Sequence, residues 1–161
     1  MFTVVALILS VIVASFVGYF VHRLIHKPWT GPLYRGHMEH HLTVYPKERL
    51  TSEKYELKKW YHSGPVLFTP AAVAVIFVIG FTCWLMGIPL MSFAAFSGGL
   101  VAFGFLNDYV HDSFHLREHW LQKVPYYRKL RRLHFKHHVD MTKDFGIVDV
   151  TWDRVFKTKS E

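Results

Sequence analysis

The sequence predicts an all-α integral membrane protein with three transmembrane helices and a cytoplasmic, histidine-rich helical cap. Three observations support this fold class. Of the 161 residues, 51% are hydrophobic and 17% are aromatic, which is high for a soluble domain of this length. The hydrophobic residues are concentrated in three uncharged runs, and all 12 histidines lie between or after these runs. All 19 lysines and arginines follow the same distribution, and a single domain over residues 1–161 is expected.

The three predicted spans cover about residues 2–21, 66–86 and 88–110. Their apolar runs approach the ~20 residues that an α-helix needs to cross a bilayer. Only Gly87 separates the second span from the third, and Pro89 follows closely, so these two spans are expected to form a tight helical hairpin. A secretory signal is the alternative for the first run. That run is too long for one and lacks a basic n-region and a convincing cleavage site.

The basic residues predict the orientation of the spans. Eight of the 19 lysines and arginines lie in residues 22–65 and eleven in 108–161, whereas the hairpin turn carries none. By the positive-inside tendency, the segments 22–65 and 111–161 are expected to face the cytoplasm. Topology then explains the net charge of +7, so nucleic-acid binding is not predicted. A bacterial inner membrane and the endoplasmic reticulum both fit this topology.

Ten histidines form four short clusters at helical spacing. HRLIH and HDSFH place two imidazoles at i and i+4, while HMEHH and HFKHH place three at i, i+3 and i+4, aimed the same way along one helix face. Neutral imidazole is a good ligand for first-row transition metals, and ten imidazoles exceed what one ion accepts. A two-metal site at the membrane–cytoplasm boundary is therefore predicted. Its predicted ligands are His22, His26, His37, His40, His41, His111, His115, His134, His137 and His138.

Two histidines and four carboxylates are candidates for other roles near this site. His62 stands beside Trp60 and Tyr61, which favours an interfacial role, and His119 is an additional ligand or an outer partner of one. Metal-bound imidazoles often donate their second N–H to a carboxylate. Asp108, three residues before His111, is predicted to accept such a bond, and an interfacial charge is its alternative role. The other candidate acceptors are Asp112, Asp140 and Asp144.

The chain resembles the fatty acid hydroxylase superfamily, which also includes sterol desaturases and is similar to the carotenoid hydroxylases. The resemblance covers about residues 22–161. It is carried by HRLIH, HMEHH, HDSFH and HFKHH in this order, with a membrane hairpin between the second and the third. LTVYPKERL after the first HxxHH and DFGIVDVTWDRVFKT after the second are similar to further family motifs. Members commonly have four spans, whereas three are expected here, without a fused cytochrome b5-like heme domain.

The resemblance implies two iron ions as cofactor, O2 as co-substrate and hydroxylation of a lipid C–H bond. A fatty acyl chain is the favoured substrate, with a sterol or a carotenoid as alternatives. No flavin, heme or iron–sulfur motif is recognised in the chain. A separate electron-transfer protein, cytochrome b5-like or ferredoxin-like, is therefore expected as a partner beside the membrane lipid. The basic run 126–132 is a candidate for contacting lipid headgroups, for docking this donor, or for both.

Rival functions use the same residues differently. A lipid desaturase would use the same di-iron site. A histidine-rich metal transporter or sensor is disfavoured, because transport usually requires polar ligands inside the spans, and the uncharged runs 2–21, 66–86 and 88–107 contain no His, Asp or Glu. The small residues of the third span, such as Gly98 and Gly99, favour close helix packing over an acyl-chain groove. No sequence feature indicates an oligomeric state.

Overall fold

The computed structural model describes residues 2–56 and 64–160, with the helix backbone alone for 64–72. The α-helices of this part of the chain are α1 Phe2–Ile25, α2 Pro32–Glu39, α3 Gly64–Leu85, α4 Leu90–Phe114, α5 Pro125–Val139 and α6 Thr151–Val155. Short 3₁₀ helices cover Pro28–Thr30 and Trp120–Lys123, and a π-helical turn, His40–Val44, continues α2. An isolated bridge pairs Ser52 with Leu116. The described residues thus confirm the all-α prediction.

Helices α1 and α4 are long and apolar enough to cross a membrane. They contain 24 and 25 residues, or roughly 36–38 Å of helix at 1.5 Å per residue. Helix α3 covers most of the predicted second span, and its apolar portion with described side chains, Val73–Leu85, is shorter than a span. Two candidate membrane helices are therefore found among the described residues. The passage of α3 through the membrane remains a prediction.

Glycines set the packing of these three helices. Gly87 adopts a positive φ of 64° between α3 and α4, a conformation that a residue without Cβ adopts readily, and this ends α3 and permits the short connection to α4. Gly99 of α4 lies against α1, where an added Cβ would come within 2.0 Å of Ser10 Oγ. Around this contact, Ala14, Phe96 and Leu100 form a buried core. Gly99 therefore serves close helix packing, the role favoured for the small residues of this span.

The cap is built on the C-terminal ends of α1 and α4. Val110 and Phe114 of α4 form a second core with Leu130 and Leu133 of α5. The C-terminal segment returns along α1, where Ser15 Oγ donates a hydrogen bond to the Asp149 carboxylate and accepts one from Trp152 Nε1 at 3.0 Å. These contacts hold α5 and the segment after it against α1 and α4, the helices that carry the HRLIH and HDSFH pairs.

Candidate metal centre

The helices bring the predicted metal ligands of all four sequence clusters together. Helices α1 and α4 continue past the apolar part of each span, so that His22 and His26 follow one span and His111 and His115 the other. Helix α2 and its π-helical turn supply HMEHH, and α5 supplies HFKHH. All ten histidines are buried or partly buried. The geometry therefore gathers ligands from segments about a hundred residues apart.

The imidazoles form two groups, which we call the first and the second cluster. The ligand nitrogens within each lie within 4.8 Å of one another. The first cluster consists of His22, His26, His37, His41 and His137, and the second of His40, His111, His115 and His134. His138 lies beside the second cluster, with its Nε2 3.2 Å from His134 Nε2. It also borders the first, because its ring centroid is 4.1 Å from that of His41.

Each HxxHH motif therefore contributes to both clusters. His37 and His41 join the first cluster while His40, between them, joins the second. Likewise His137 belongs to the first cluster and His134 to the second. The sequence predicted that the three imidazoles of a motif aim the same way. In the structure they instead divide between two clusters.

Backbone carbonyls fix which ring nitrogen faces each cluster. A carbonyl only accepts hydrogen bonds, so an Nδ1 beside one must carry the proton, and the Nε2 of the neutral ring presents a lone pair to the cluster. Four of the predicted ligands are held this way. The Nδ1 atoms of His22, His137, His115 and His138 lie 2.7, 2.5, 2.8 and 2.8 Å from the carbonyl oxygens of Phe145, Lys143, Leu50 and Tyr45, in that order.

Burial keeps these imidazoles in the neutral form that binds metal. Burial, followed by the nearby Lys27 cation, lowers the pKa of His26 to about 4. Burial likewise lowers the pKa of His138 to about 3. The pKa values of His37, His40 and His41 lie well below the ordinary range, because of burial first and neighbouring imidazoles second. The cluster interiors therefore contain uncharged nitrogen donors.

The donor atoms fit a pair of cations. In the first cluster, His26 Nε2 lies 2.9 Å from His37 Nε2 and 3.0 Å from His137 Nε2. In the second, His115 Nε2 and His134 Nε2 are 3.0 Å apart. The Nε2 atoms of His22 and His40 are buried without a hydrogen-bond partner among the described residues. His137 and His115 present Nε2 lone pairs here because their Nδ1 atoms carry the protons, and a divalent ion in each cluster would bind these lone pairs and those of the neighbouring rings.

Asp153, to which the sequence reasoning assigned no role, holds the carbonyls that serve the first cluster. Its buried carboxylate accepts hydrogen bonds from the backbone N–H groups of Phe145 (2.9 Å) and Gly146 (2.7 Å) and from the hydroxyl of Thr158 (2.7 Å). Gly146 has no room for a side chain, because a Cβ there would lie 2.1 Å from the carbonyl oxygen of Asp149. Asp153 therefore fixes the segment that orients His22 and His137. The WDRVF motif was the signal for it.

Tyr45 and its loop fix the carbonyls that orient imidazoles of the second cluster. The Tyr45 ring stacks on His115 with centroids 4.0 Å apart, and its hydroxyl accepts a hydrogen bond from Glu56 N at 2.8 Å. Ser52 N donates to the His115 carbonyl at 2.9 Å. The YPKERL motif thus places the two carbonyls that orient His115 and His138.

Among the four candidate carboxylates, Asp112 makes a close contact with a predicted ligand. Its Oδ1 is 3.5 Å from His111 Nδ1. Asp108 is buried one helical turn earlier, and a hydrogen bond from a ligand to it remains a prediction. The other two carboxylates are used elsewhere: Asp140 pairs with Lys143 at 3.6 Å, and Asp144 accepts from Ser160 N at 2.9 Å.

His119 lies outside both clusters. Its Nδ1 accepts a hydrogen bond from Leu121 N at 3.3 Å, and its Nε2 lies 3.1 Å from the Tyr109 hydroxyl. These contacts give it a role at the start of the 3₁₀ helix after α4. His62 is outside the described residues.

Comparison with known proteins assigns a family to this arrangement. A family model described as fatty acid hydroxylase matches residues 7–158. The matched range contains all ten clustered histidines, the YPKERL loop and Asp153. Neither the search of curated proteins nor that of solved structures found a significant match.

Proposed function

Because the chain belongs to the fatty acid hydroxylase family of membrane di-iron oxidoreductases, we propose that it hydroxylates an aliphatic C–H bond of a membrane lipid. A fatty acyl chain is the favoured substrate, and a sterol or a carotenoid is the alternative. The observation that carries this proposal is the pair of buried, all-imidazole clusters. Their nitrogen donors suit iron, and their number suits two ions.

Each cluster is proposed to hold one iron ion. The ligands are His22, His26, His37, His41 and His137 in the first cluster, and His40, His111, His115, His134 and His138 in the second. Bound iron supplies the activation of O2, which is needed because an aliphatic C–H bond has no acidic proton for a side chain to remove.

The residues of the chain prepare the site for that chemistry. The carbonyls of Lys143, Phe145, Leu50 and Tyr45 keep the proton on Nδ1 of their imidazole partners, so that each Nε2 stays available as a ligand. Burial excludes water and keeps the rings neutral. Asp112 is placed to accept the Nδ1 proton of His111, which would orient that ring and raise its basicity.

The position of the clusters supports a lipid as substrate. They lie at the C-terminal ends of α1 and α4, the two helices that can cross a membrane. We propose that both histidine-bearing segments lie on the cytoplasmic side of the membrane, where a lipid can reach the clusters from within the bilayer. Single cysteines replacing Lys54, Lys123 and Ile88 in a Cys83→Ser background test this. Labelling should show positions 54 and 123 on the same side and position 88 on the other, and opposite sides for the first two would contradict the proposal.

Lipid analysis tests the reaction. Lipids from cells that express the protein should contain a species about 16 mass units heavier than a lipid of non-expressing cells, as one inserted oxygen atom requires. Cells that express His137→Ala provide the control. A loss of about two mass units instead would identify the desaturase alternative, and unchanged lipids with a fully metal-loaded protein would reject both reactions.

A further inference from the structure

Helix α5 borders a groove on the side opposite to its metal ligands. The groove has a volume of about 460 Å³, and its walls include Arg132, Phe135, Lys136, Val139 and Lys143. Val139 is 66% exposed at its edge. The mechanism above uses none of these side chains.

This groove is one hydrogen bond away from the first cluster. The carbonyl of Lys143, a wall residue, accepts the hydrogen bond from Nδ1 of His137 at 2.5 Å. His137 Nε2 in turn lies 3.0 Å from His26 Nε2 inside the cluster. A continuous bonded path therefore runs from the groove wall through the imidazole of a proposed ligand.

The groove face is strongly basic. Arg128, Arg132 and Lys136 follow one another at i, i+4 spacing along the exposed side of α5, and Lys143 adds a fourth cation. Asp140 is the exposed carboxylate of the groove and pairs with Lys143 at 3.6 Å. The other carboxylate, Asp144, is buried. Among the described residues of this face, cations therefore outnumber exposed carboxylates, and the complementary partner is acidic.

We propose that this groove docks an acidic one-electron carrier protein and that electrons enter the first cluster through the Lys143 carbonyl and His137. The proposal rests on the proposed function, which consumes electrons. Hydroxylation converts R–H, O2, two electrons and two protons into R–OH and H2O. Two reduced carriers, each oxidised by one electron, supply the electrons, and no redox cofactor motif is recognised in the chain itself.

A protein fits this face better than a lipid surface does. Besides Val139 at the groove edge, apolar side chains suited to a bilayer boundary are exposed next to the end of α6, where Val155 and Phe156 are 60% and 44% exposed. Phe156 stacks on Trp152, which contacts Phe16 of α1. The groove face instead carries cations around a concavity, a shape that a planar layer of headgroups does not require.

Binding of an acidic carrier tests the docking site. The probe is oxidised acidic [2Fe–2S] ferredoxin, titrated against the metal-loaded protein in zwitterionic nanodiscs. The double variant Arg132→Glu/Lys143→Glu should raise the Kd on the order of tenfold and flatten its dependence on salt. The matched control Arg117→Glu/Lys123→Glu makes the same charge change at exposed positions between α4 and α5, and its Kd should stay within about twofold of wild type.

Reduction kinetics separate docking from the function it serves. Reduced ferredoxin should reduce the metals of Arg132→Glu/Lys143→Glu on the order of tenfold more slowly than those of the wild type, whereas dithionite should reduce both equally. Equal metal content in the two proteins shows that the variant is folded. Normal docking without any lipid oxidation would reject the proposed function and leave the docking site intact.

Three outcomes overturn the docking proposal. One is a wild-type protein that does not bind ferredoxin, and another is an unchanged Kd in Arg132→Glu/Lys143→Glu. The third is an effect of the charge reversal that appears only in nanodiscs containing anionic lipid, because that result assigns the face to the membrane.

Discussion

The two histidine clusters draw on the same HxxHH motifs but are held in place by different parts of the chain. The first cluster depends on the segment 143–146, which Asp153 fixes and whose carbonyls orient His22 and His137. The second depends on the loop 45–56, whose carbonyls orient His115 and His138. Each HxxHH motif thus supplies ligands to both clusters, while two separate backbone segments orient the rings of the two clusters.

This difference means that the two metals can be disturbed separately. A support acts through the hydrogen bond that sets the tautomer and the angle of an imidazole, and loss of such a partner typically weakens metal binding by 10–100-fold. A change that shifts the backbone of the 143–146 segment should therefore affect the first metal before the second. A change that shifts the backbone of the 45–56 loop should affect the second metal before the first. The following predictions test that separation, from the largest expected effect to the smallest.

Removal of a ligand should have the largest effect. His137→Ala deletes a ligand of the first cluster and His115→Ala one of the second, and neither helix offers a replacement at the same point. Each variant should retain about one metal ion per chain instead of two, and lipid oxidation should fall by about 100-fold or more. Metal content by mass spectrometry and product formation check both values. His26→Ala and His40→Ala sample the remaining two sequence motifs.

The ligand variants need a control for folding, because metal loss can also unfold the cap. Each must therefore be shown to insert in the membrane at the wild-type level. Full activity of well-inserted His40→Ala and His137→Ala would reject the ten-histidine site. A purified wild-type protein that binds at most one ion per chain would reject the two-cluster arrangement.

Asp153 should control the first cluster without touching a metal. Asp153→Ala removes the acceptor for three hydrogen bonds and frees the carbonyls of Lys143 and Phe145. Metal affinity of the first cluster should fall by 10–100-fold while the second keeps its ion. Asp153→Asn, which retains one oxygen acceptor, should recover part of the loss. Titration with Co²⁺, followed by its absorption, distinguishes one weakened site from two, and equal weakening of both sites would refute the separation.

The motifs predicted these residues more readily than their arrangement. All ten histidines and both candidate membrane helices could be recognised, because residue spacing and hydropathy are local properties of the sequence. The connection at Gly87 is local as well. The alternation of His37, His40 and His41 between two clusters could not be predicted, since helical spacing alone places the three on one stripe. Only the tertiary placement of rings from α1, α4 and α5 around them decides which nitrogens meet.

The supports were harder to predict for a different reason. The acceptors for His22 and His115 are backbone carbonyls 123 and 65 residues away, and every residue type has a carbonyl. A sequence pattern therefore does not distinguish them. For His111, the helical spacing favoured Asp108, and the structure adds the adjacent Asp112, whose Oδ1 lies 3.5 Å from His111 Nδ1.

Acid should destabilise the fold of the metal-free protein. The pKa of His26 is lowered to about 4 and that of His138 to about 3, from about 6.5 in an unfolded chain. At a pH between the lowered pKa values of the folded protein and about 6.5, the unfolded chain binds more protons than the folded one. The free energy of unfolding therefore decreases as the pH falls below about 6.5. Thermal unfolding at pH 7 and pH 5 should show a lower midpoint at pH 5. An equal or higher midpoint at pH 5 would contradict the neutral, buried state of these rings.

The smallest effect is expected at His119, which continues the stripe of His111 and His115 by one helical turn but belongs to neither cluster. Its ring nitrogens contact Leu121 N and the Tyr109 hydroxyl, so it caps the 3₁₀ helix after α4. His119→Ala should retain both metals and most activity. It should cost about 0.5–1 kcal/mol of stability, the usual loss for a helix cap. Denaturation and metal content measure the two effects separately. If His119→Ala instead released one metal ion, the second cluster would extend further along α4 than its nitrogen geometry indicates.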